Sequence, residues 1–205
     1  MEPIAQNLEK FMAMSASFRV GGGIEVGSNN RFVRMCFRES YQVLPEGLAK
    51  FVENIGETSL HETLKMVNIY GISKELILAK GVFPYSFFDS FDKMAYDHLP
   101  SIEDFYDTLS DRTISEKDHQ RAQSAWNEFQ CDNMGEYMLR YLEMDVRQLT
   151  DVFEQFRVIS RQEDGLDGAH YLTISQFALS SALKTINRPI SLCPSLKIYR
   201  IFKRV

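Results

Sequence analysis

The sequence predicts a mostly helical chain with a small β portion near its N-terminus. Apolar residues recur at intervals of three and four over 135–161, which is the period of one face of an α-helix. Residues 31–37 instead alternate apolar and polar side chains, as a β-strand does. With 205 residues, 44% of them hydrophobic, the chain can bury a core of ordinary size.

The first 45 residues are predicted to be β or irregular structure. A glycine-rich stretch over 20–30 predicts a hairpin loop before the strand, and its glycines lack the spacing of the common phosphate-binding motifs. From Pro45 the pattern becomes helical, because proline suits a first turn and Gly56 suits a C-terminal stop. The apolar positions of this predicted helix are Leu48, Phe51, Val52 and Ile55.

The middle of the chain predicts a packed loop followed by two capped helices. Ala79–Phe91 contains glycine and proline within an aromatic run, which favours an extended loop anchored by its rings. Ser101 and Ser115 are each followed three residues later by an aspartate, a variant of the capping box. These signals predict helices over 101–109 and 115–129.

The longest predicted helix runs from Gly135 to about Arg161. A last helix is predicted from about Ile174 to Ile186, before the proline of Asn187-Arg188-Pro189. The apolar positions that predict the long helix are Leu139, Leu142, Val146, Leu149, Val152, Phe153 and Phe156.

The net charge of −5 argues against a free-standing nucleic-acid-binding module, which usually carries an excess of Lys and Arg. Residues 86–165 hold 18 acidic and 8 basic side chains, a net of −10, so the two flanks together carry +5. Two interpretations stay open for this acidic stretch. It forms solvated helix faces, or some of its carboxylates hold the metal ions of a nuclease.

Cysteine usage and hydropathy predict a soluble intracellular protein and do not distinguish the nucleus from the cytoplasm. Cys36, Cys131 and Cys193 are far apart and form no CxxC pair, so neither a disulfide framework nor a zinc site is expected. No apolar run approaches the roughly 18 residues of a membrane span, and the N-terminus lacks a signal-peptide layout. No membrane partner is expected.

Tyr141 and Asp145 stand four residues apart on the long predicted helix and therefore share one face. In a two-metal nuclease, such a carboxylate would hold Mg²⁺ or Mn²⁺ while the phenol orients the attacking water. The bare spacing has low specificity, because Tyr85 and Asp89 match it too. The alternative is an exposed aspartate on a helix whose tyrosine packs in the core.

Residues 1 to about 186 resemble family B DNA polymerases of the organellar and viral, protein-primed type, including those of Maverick or Polinton mobile elements. RFVRMCFRESYQVLPEGLAKFVENIG near the N-terminus is also similar, with Glu39 where the family tends to have aspartate. The stretches that carry the resemblance are KGVFPYSFFDSF (80–91), AQSAWNEFQCDNMGEYMLRYLEMDVRQLTDVFEQFR (122–157) and LDGAHYLTISQFALSSALK (166–184).

The resemblance implies that YLEMDV is the third motif of a 3′–5′ exonuclease, with Tyr141 as the water-orienting phenol and Asp145 as the metal-binding carboxylate. It implies a ribonuclease H-like α/β parent fold, Mg²⁺ or Mn²⁺ as cofactor, and DNA partners, namely a single-stranded 3′ end and a template-primer, with a terminal protein as the primer. The domains implied are the C-terminal part of the exonuclease at 1–165 and the start of the polymerase at 166–186. Residues 187–205 form a divergent tail.

Several family motifs do not occur in this sequence. The Asp-x-Glu motif of the exonuclease, its second motif and the Asp-Thr-Asp site of the polymerase palm are all missing. One aspartate cannot offset the charge of two divalent ions. The sequence therefore predicts an incomplete, mostly helical excerpt of a DNA-replicating enzyme, inactive alone, with apolar helix faces left uncovered.

Two alternatives from other classes remain. One is a non-catalytic protein that keeps the fold in order to bind DNA or a replication complex. The other is a helical interaction protein with only an accidental similarity to polymerases.

Overall fold

A computed structural model describes residues 2–5, 11–20, 31–108 and 111–186. Its β portion is a three-stranded antiparallel sheet in the order β1-β2-β3. The predicted strand at 31–37 is confirmed as part of β3, while most of the predicted hairpin loop lies outside the described residues. The strands are β1 (Glu2–Ala5), β2 (Phe11–Val20) and β3 (Arg31–Arg38).

Six α-helices follow the sheet within the described ranges. The predicted helices at 115–129, 135–161 and 174–186 are confirmed. The helix predicted from Pro45 begins only at Leu48, so Pro45 is not in its first turn, and Gly56 ends it with a φ of 73° as predicted. None of the described helices is both long and apolar enough to cross a membrane. The helices are α1 (Leu48–Ile55), α2 (His61–Tyr70), α3 (Lys74–Ile77), α4 (Glu116–Glu128), α5 (Met134–Glu163) and α6 (Ile174–Thr185).

The predicted helix over 101–109 is wrong in length. The capping box of Ser101 and Asp104 forms, yet it begins only a 3-10 turn at Ile102–Phe105. Phe105 is buried, and Asp107 then pairs with Arg112 in an isolated β-bridge that turns the chain away from the helical path. Residues 109 and 110 lie outside the described residues.

The 30-residue helix α5 is the element against which the other helices pack. Met144 faces a cluster that includes α2, α3 and α4, and Val152 faces a second cluster with α1. Asp151 fixes α2 directly: its carboxylate accepts hydrogen bonds from the backbone N–H groups of Glu62 at 2.9 Å and Thr63 at 2.8 Å. A side chain of α5 therefore serves as the cap that α2 lacks locally.

The apolar residues that predict α5 divide between two faces. Val152 is buried, but Leu139, Leu142 and Val146 are 56%, 53% and 55% exposed. Leu149 continues this exposed row, which we call the α5 stripe (Leu139, Leu142, Val146 and Leu149). One helix thus supplies both the core and an uncovered apolar surface.

Candidate functional site

Tyr141 and Asp145 lie one turn apart on α5, at the border between its buried face and the α5 stripe. Tyr141 is 8% exposed, and Asp145 is half-buried. On a helix of 100° per residue, Asp145 stands about 40° from Tyr141 on one side and about 40° from Leu149 on the other. The carboxylate therefore faces the edge of the uncovered surface rather than the middle of the core or the fully solvated side.

The ring of Tyr141 packs against the loop 79–91, which is irregular and packed by aromatic rings as predicted but contains a turn at 85–87 and is not extended throughout. Its centroid is 5.1 Å from that of Phe83 and 6.0 Å from that of Tyr85. The hydroxyl oxygens of Tyr85 and Tyr141 lie 2.5 Å apart, which is a short hydrogen bond. The hydrogen bond therefore couples the orientations of the two hydroxyl groups.

Sequence reasoning missed Tyr85 as a site residue. It belongs to the second match to the Tyr-x3-Asp spacing, to which the family resemblance assigns no role. The structure separates the two members of that match: Tyr85 contacts Tyr141, whereas the side chain of Asp89 is 69% exposed and faces Lys93 at 3.8 Å. The aromatic run around Tyr85 predicts that the loop is packed against the core. Nothing in the sequence indicates that Tyr85 contacts Tyr141.

Helix α5 and its neighbours hold the loop by its backbone carbonyl groups. Tyr137 donates its hydroxyl hydrogen to the carbonyl of Val82 at 2.6 Å, and Arg121 on α4 donates to the carbonyl of Lys80 at 3.0 Å. Gly81 allows this close approach, because a Cβ there would lie 2.8 Å from Cδ2 of the packed Tyr141 ring. The loop is therefore fixed on the face of α5 that carries Tyr141.

Burial raises the pKa of Tyr141 far above the usual range of a phenol, with further contributions from the hydrogen bond to Tyr85 and the charge of Asp145. Burial also raises the pKa of Tyr137. Both phenols stay protonated at neutral pH. Tyr141 can thus donate or accept a hydrogen bond and orient a neighbour, but it cannot act as an ionised base.

Asp145, like Gln148 three residues later on α5, carries a buried side-chain oxygen without a hydrogen-bond partner among the described residues. In Asp145 this atom is Oδ1. Leaving such an acceptor unsatisfied typically costs about 1–3 kcal/mol. Asp145 interacts with the Tyr141 phenol, which is itself hydrogen-bonded to Tyr85, and its Oδ1 can still accept from a further donor group or bind a cation.

The described residues do not fit a two-metal site. No group of three His, Cys, Asp or Glu side chains close enough to hold an ion occurs among them. Asp145 could provide one ligand for the predicted Mg²⁺ or Mn²⁺. Glu39, the other candidate carboxylate, is exposed, accepts from Nε2 of Gln42 at 3.2 Å, and lines a cleft of about 560 Å³ that Val146 and Leu149 also line.

Comparisons with known proteins do not identify a family. No protein-family model, curated protein or solved structure matches this chain. The polymerase resemblance and the ribonuclease H-like parent fold therefore stay predictions, which depend on the quoted sequence stretches and on the geometry around Asp145.

Proposed function

We propose that this chain is the late 3′–5′ exonuclease region, with the entry to the polymerase domain, of a DNA-directed DNA polymerase of the organellar and viral type. The observation that carries the proposal is the position of Asp145. Its buried oxygen has no partner among the described residues, and the residue stands at the edge of an uncovered apolar face. That is where further strands bearing acidic residues would complete a nuclease site.

The α5 stripe supports the same proposal. Four apolar side chains in a row on one helix, each more than a third exposed, form a surface that a folded protein normally covers. In an α/β parent fold such a face packs against a sheet. A sheet placed there would bring its own side chains beside Asp145, because Asp145 and Leu149 are neighbours on the helix surface.

In the proposed site, Asp145 supplies one metal ligand and Tyr141 positions a polar group by its hydroxyl. A pair of divalent ions would activate water and stabilise the charge that develops on the phosphate. Because the described residues contribute a single carboxylate at this place, the remaining ligands belong to segments outside them. Tyr85 holds the Tyr141 hydroxyl in one orientation and is a positioning residue.

The proposal is tested on an extended chain. Coding sequence that flanks this chain is expected to contain Asp-x-Glu upstream and Asp-Thr-Asp downstream. The extended protein should degrade 5′-labelled single-stranded DNA in the presence of Mg²⁺ and lose this activity on Asp145→Ala. Asp89→Ala, in the second match to the spacing, is the matched control and should leave the activity unchanged.

Two results would contradict the proposal. Nuclease activity of the extended protein that survives Asp145→Ala removes this residue from the site. Robust activity of residues 1–205 alone, lost on Asp145→Ala, shows instead that the site is already complete, which contradicts the incomplete excerpt proposed here.

A second candidate is a non-catalytic DNA-binding protein derived from such a polymerase. It is favoured by Arg19, Arg34 and Arg38, which the strand register places on one face of the sheet. This candidate predicts DNA binding with no nuclease activity in the extended chain.

A further inference from the structure

The two edges of the three-stranded sheet differ in how they are protected. An edge strand presents unpaired backbone N–H and C=O groups, and natural proteins usually shorten it, bulge it or place proline in it. The β1 edge has all three features: it is four residues long, contains Pro3 and changes register between Ile4 and Ala5. Strand β3 has none of them, since it pairs with β2 over eight consecutive residues without a bulge. Among the described residues, the sheet therefore ends at β3 with an edge that can accept another strand.

The arginines of β3 do not guard this edge, although charged side chains can protect an edge strand. Nη2 of Arg34 donates to Oγ of Ser15 on β2 at 3.0 Å, so the guanidinium is turned toward the interior of the sheet. Arg38 donates to the carbonyl of Ala169, in the turn at Gly168–His170. Both side chains are thereby held on the chain itself.

The open edge of β3 borders the α5 stripe. The cleft of about 560 Å³ is lined by Cys36 and Arg38 of β3 and by Val146 and Leu149 of the stripe, and its described lining residues include none from β1 or β2. Residues of β2 line a different cleft, together with the start of α6. The stripe therefore lies beside β3 on the side away from β2. A strand added to the β3 edge covers it.

Strand β3 is complementary to a second copy of itself. In an antiparallel pair, residues that stand opposite each other lie on the same face of the sheet. A two-fold axis at Met35 places Met35 opposite its own copy, Val33 opposite Phe37, and Arg34 opposite Cys36. This register pairs apolar side chains and sets no arginine opposite another arginine. An axis at Arg34 or at Cys36 does oppose arginines, which is unfavourable.

The apolar surface at this edge matches what a stable dimer needs. Phe32 lies on the same face of β3 as Cys36 and Arg38 and is 66% exposed, and each side chain of the α5 stripe is more than a third exposed. At roughly 90 Å² per side chain, these five provide about 450 Å² in each copy. A standard interface buries about 800 Å² per partner, of which a little over half is non-polar, or about 450 Å².

We propose that two copies of this chain pair through the β3 edge, with a two-fold axis at Met35. They form one six-stranded antiparallel sheet, in which the sheet of each copy covers the α5 stripe of the other. The second copy thus takes the place that a sheet of the extended chain has in the proposed function. The inference does not rest on that function, because it concerns residues 1–205 and is measured without DNA or metal ions.

Cysteine cross-linking tests the register. In a Cys36→Ser/Cys193→Ser background, Met35→Cys places two thiols opposite each other with Cβ atoms about 5 Å apart. Mild oxidation should therefore convert more than half of this variant to covalent dimer on a non-reducing gel. Val33→Cys is the matched control on the same face: its copy lies four residues further along the paired strands, roughly 13 Å away, so it should cross-link at least fivefold less. Cys131 is buried and stays in both variants.

Sedimentation equilibrium gives an independent readout of the same interface. Met35→Lys sets two like charges side by side at the axis and should raise the dimer Kd at least tenfold. Leu142→Lys/Val146→Lys should raise it as well and should abolish the Met35→Cys cross-link, because the stripe belongs to the interface. Ile69→Lys changes an exposed apolar side chain on α2 and should alter the Kd less than twofold. Far-UV circular dichroism checks that each variant is folded.

Three outcomes would overturn the inference. They are a wild-type chain that stays monomeric at about 100 µM, equal cross-linking of Met35→Cys and Val33→Cys, or a dimer that Met35→Lys leaves intact. The last result, together with loss of the dimer in Leu142→Lys/Val146→Lys, assigns association to the α5 stripe without pairing of β3.

Discussion

Tyr85 and Tyr141 share a hydrogen bond across 56 positions of sequence, with their hydroxyl oxygens 2.5 Å apart. The bond joins the aromatic loop to the helix that carries Asp145. Because Tyr141 is buried, the bond satisfies a hydroxyl group that has little access to water. The loop thereby sets the orientation of the phenol proposed to act beside the carboxylate.

Tyr85→Phe should lower the free energy of unfolding by about 1 kcal/mol, because it removes one partner of a half-buried hydrogen bond. Urea unfolding followed by circular dichroism measures the change. Tyr41→Phe is the matched control: Tyr41 is 58% exposed, so its hydroxyl stays hydrated and the variant should differ from wild type by less than about 0.5 kcal/mol. Equal effects of the two substitutions would show that the bond contributes nothing.

The stability of the fold should decrease at alkaline pH. The folded state raises the pKa of Tyr141 by burial, while an unfolded tyrosine ionises near pH 10. The contribution of Tyr141 is therefore fully present below about pH 10 and decreases as the pH rises further, since the unfolded state then gains by losing its proton.

Urea midpoints measured from pH 8 to 11.5 test this dependence. Tyr141→Phe should flatten the decrease between pH 10 and 11.5 relative to wild type, although lysines titrate in both proteins. Parallel curves for the two proteins would show that Tyr141 ionises freely in the folded state.

The sequence predicts α5 and its neighbours well because their signals are local. A regular apolar period lies within α5, and the predicted cap Ser115 stands directly before α4. Helix α2 is different: its first turn is capped by Asp151, 88 residues beyond Thr63. No local pattern indicates such a partner, so the sequence does not predict this helix.

The same difference between local signals and long-range contacts applies to the candidate site. The spacing of Tyr141 and Asp145 on one helix face follows from helical geometry alone and can be predicted. The contact with Tyr85 depends on the path of an irregular loop, for which the sequence provides no register. The exposure of the α5 stripe depends on what covers the helix, which an apolar period cannot reveal.

Asp145 and Asp151 should respond oppositely to substitution, although they lie on the same helix. Asp151→Ala leaves the buried N–H groups of Glu62 and Thr63 without their acceptor and should cost about 3 kcal/mol of unfolding free energy. Asp145→Ala removes a buried oxygen with no partner among the described residues and should leave stability unchanged or raise it by about 1 kcal/mol. Such a difference is typical of a residue kept for function.

Chemical denaturation of both variants at pH 7 checks this contrast. A loss of more than about 1.5 kcal/mol in Asp145→Ala would show that its carboxylate has a structural partner. The assignment of Asp145 to an incomplete site would then lose its main support.

The α5 stripe should make the chain associate in solution. Removing a row of exposed apolar side chains from water lowers the free energy, and a second copy of the chain can bury the α5 stripe. Leu142→Lys/Val146→Lys places two like charges in this row. Sedimentation velocity should show oligomers for wild type and a larger monomer fraction for the double variant. Because neither side chain belongs to the core, the variant should still unfold cooperatively, with a free energy of unfolding that no longer depends on protein concentration.

Val152→Ala is the matched control on the same helix. Val152 is 2% exposed, so truncation should cost about 2 kcal/mol of stability and leave association unchanged. If wild type sediments as a single monomer and unfolds cooperatively, the exposed stripe does not drive association. The α5 stripe would then be stable while exposed to water. It would no longer support the proposal that a sheet covers it in the parent fold.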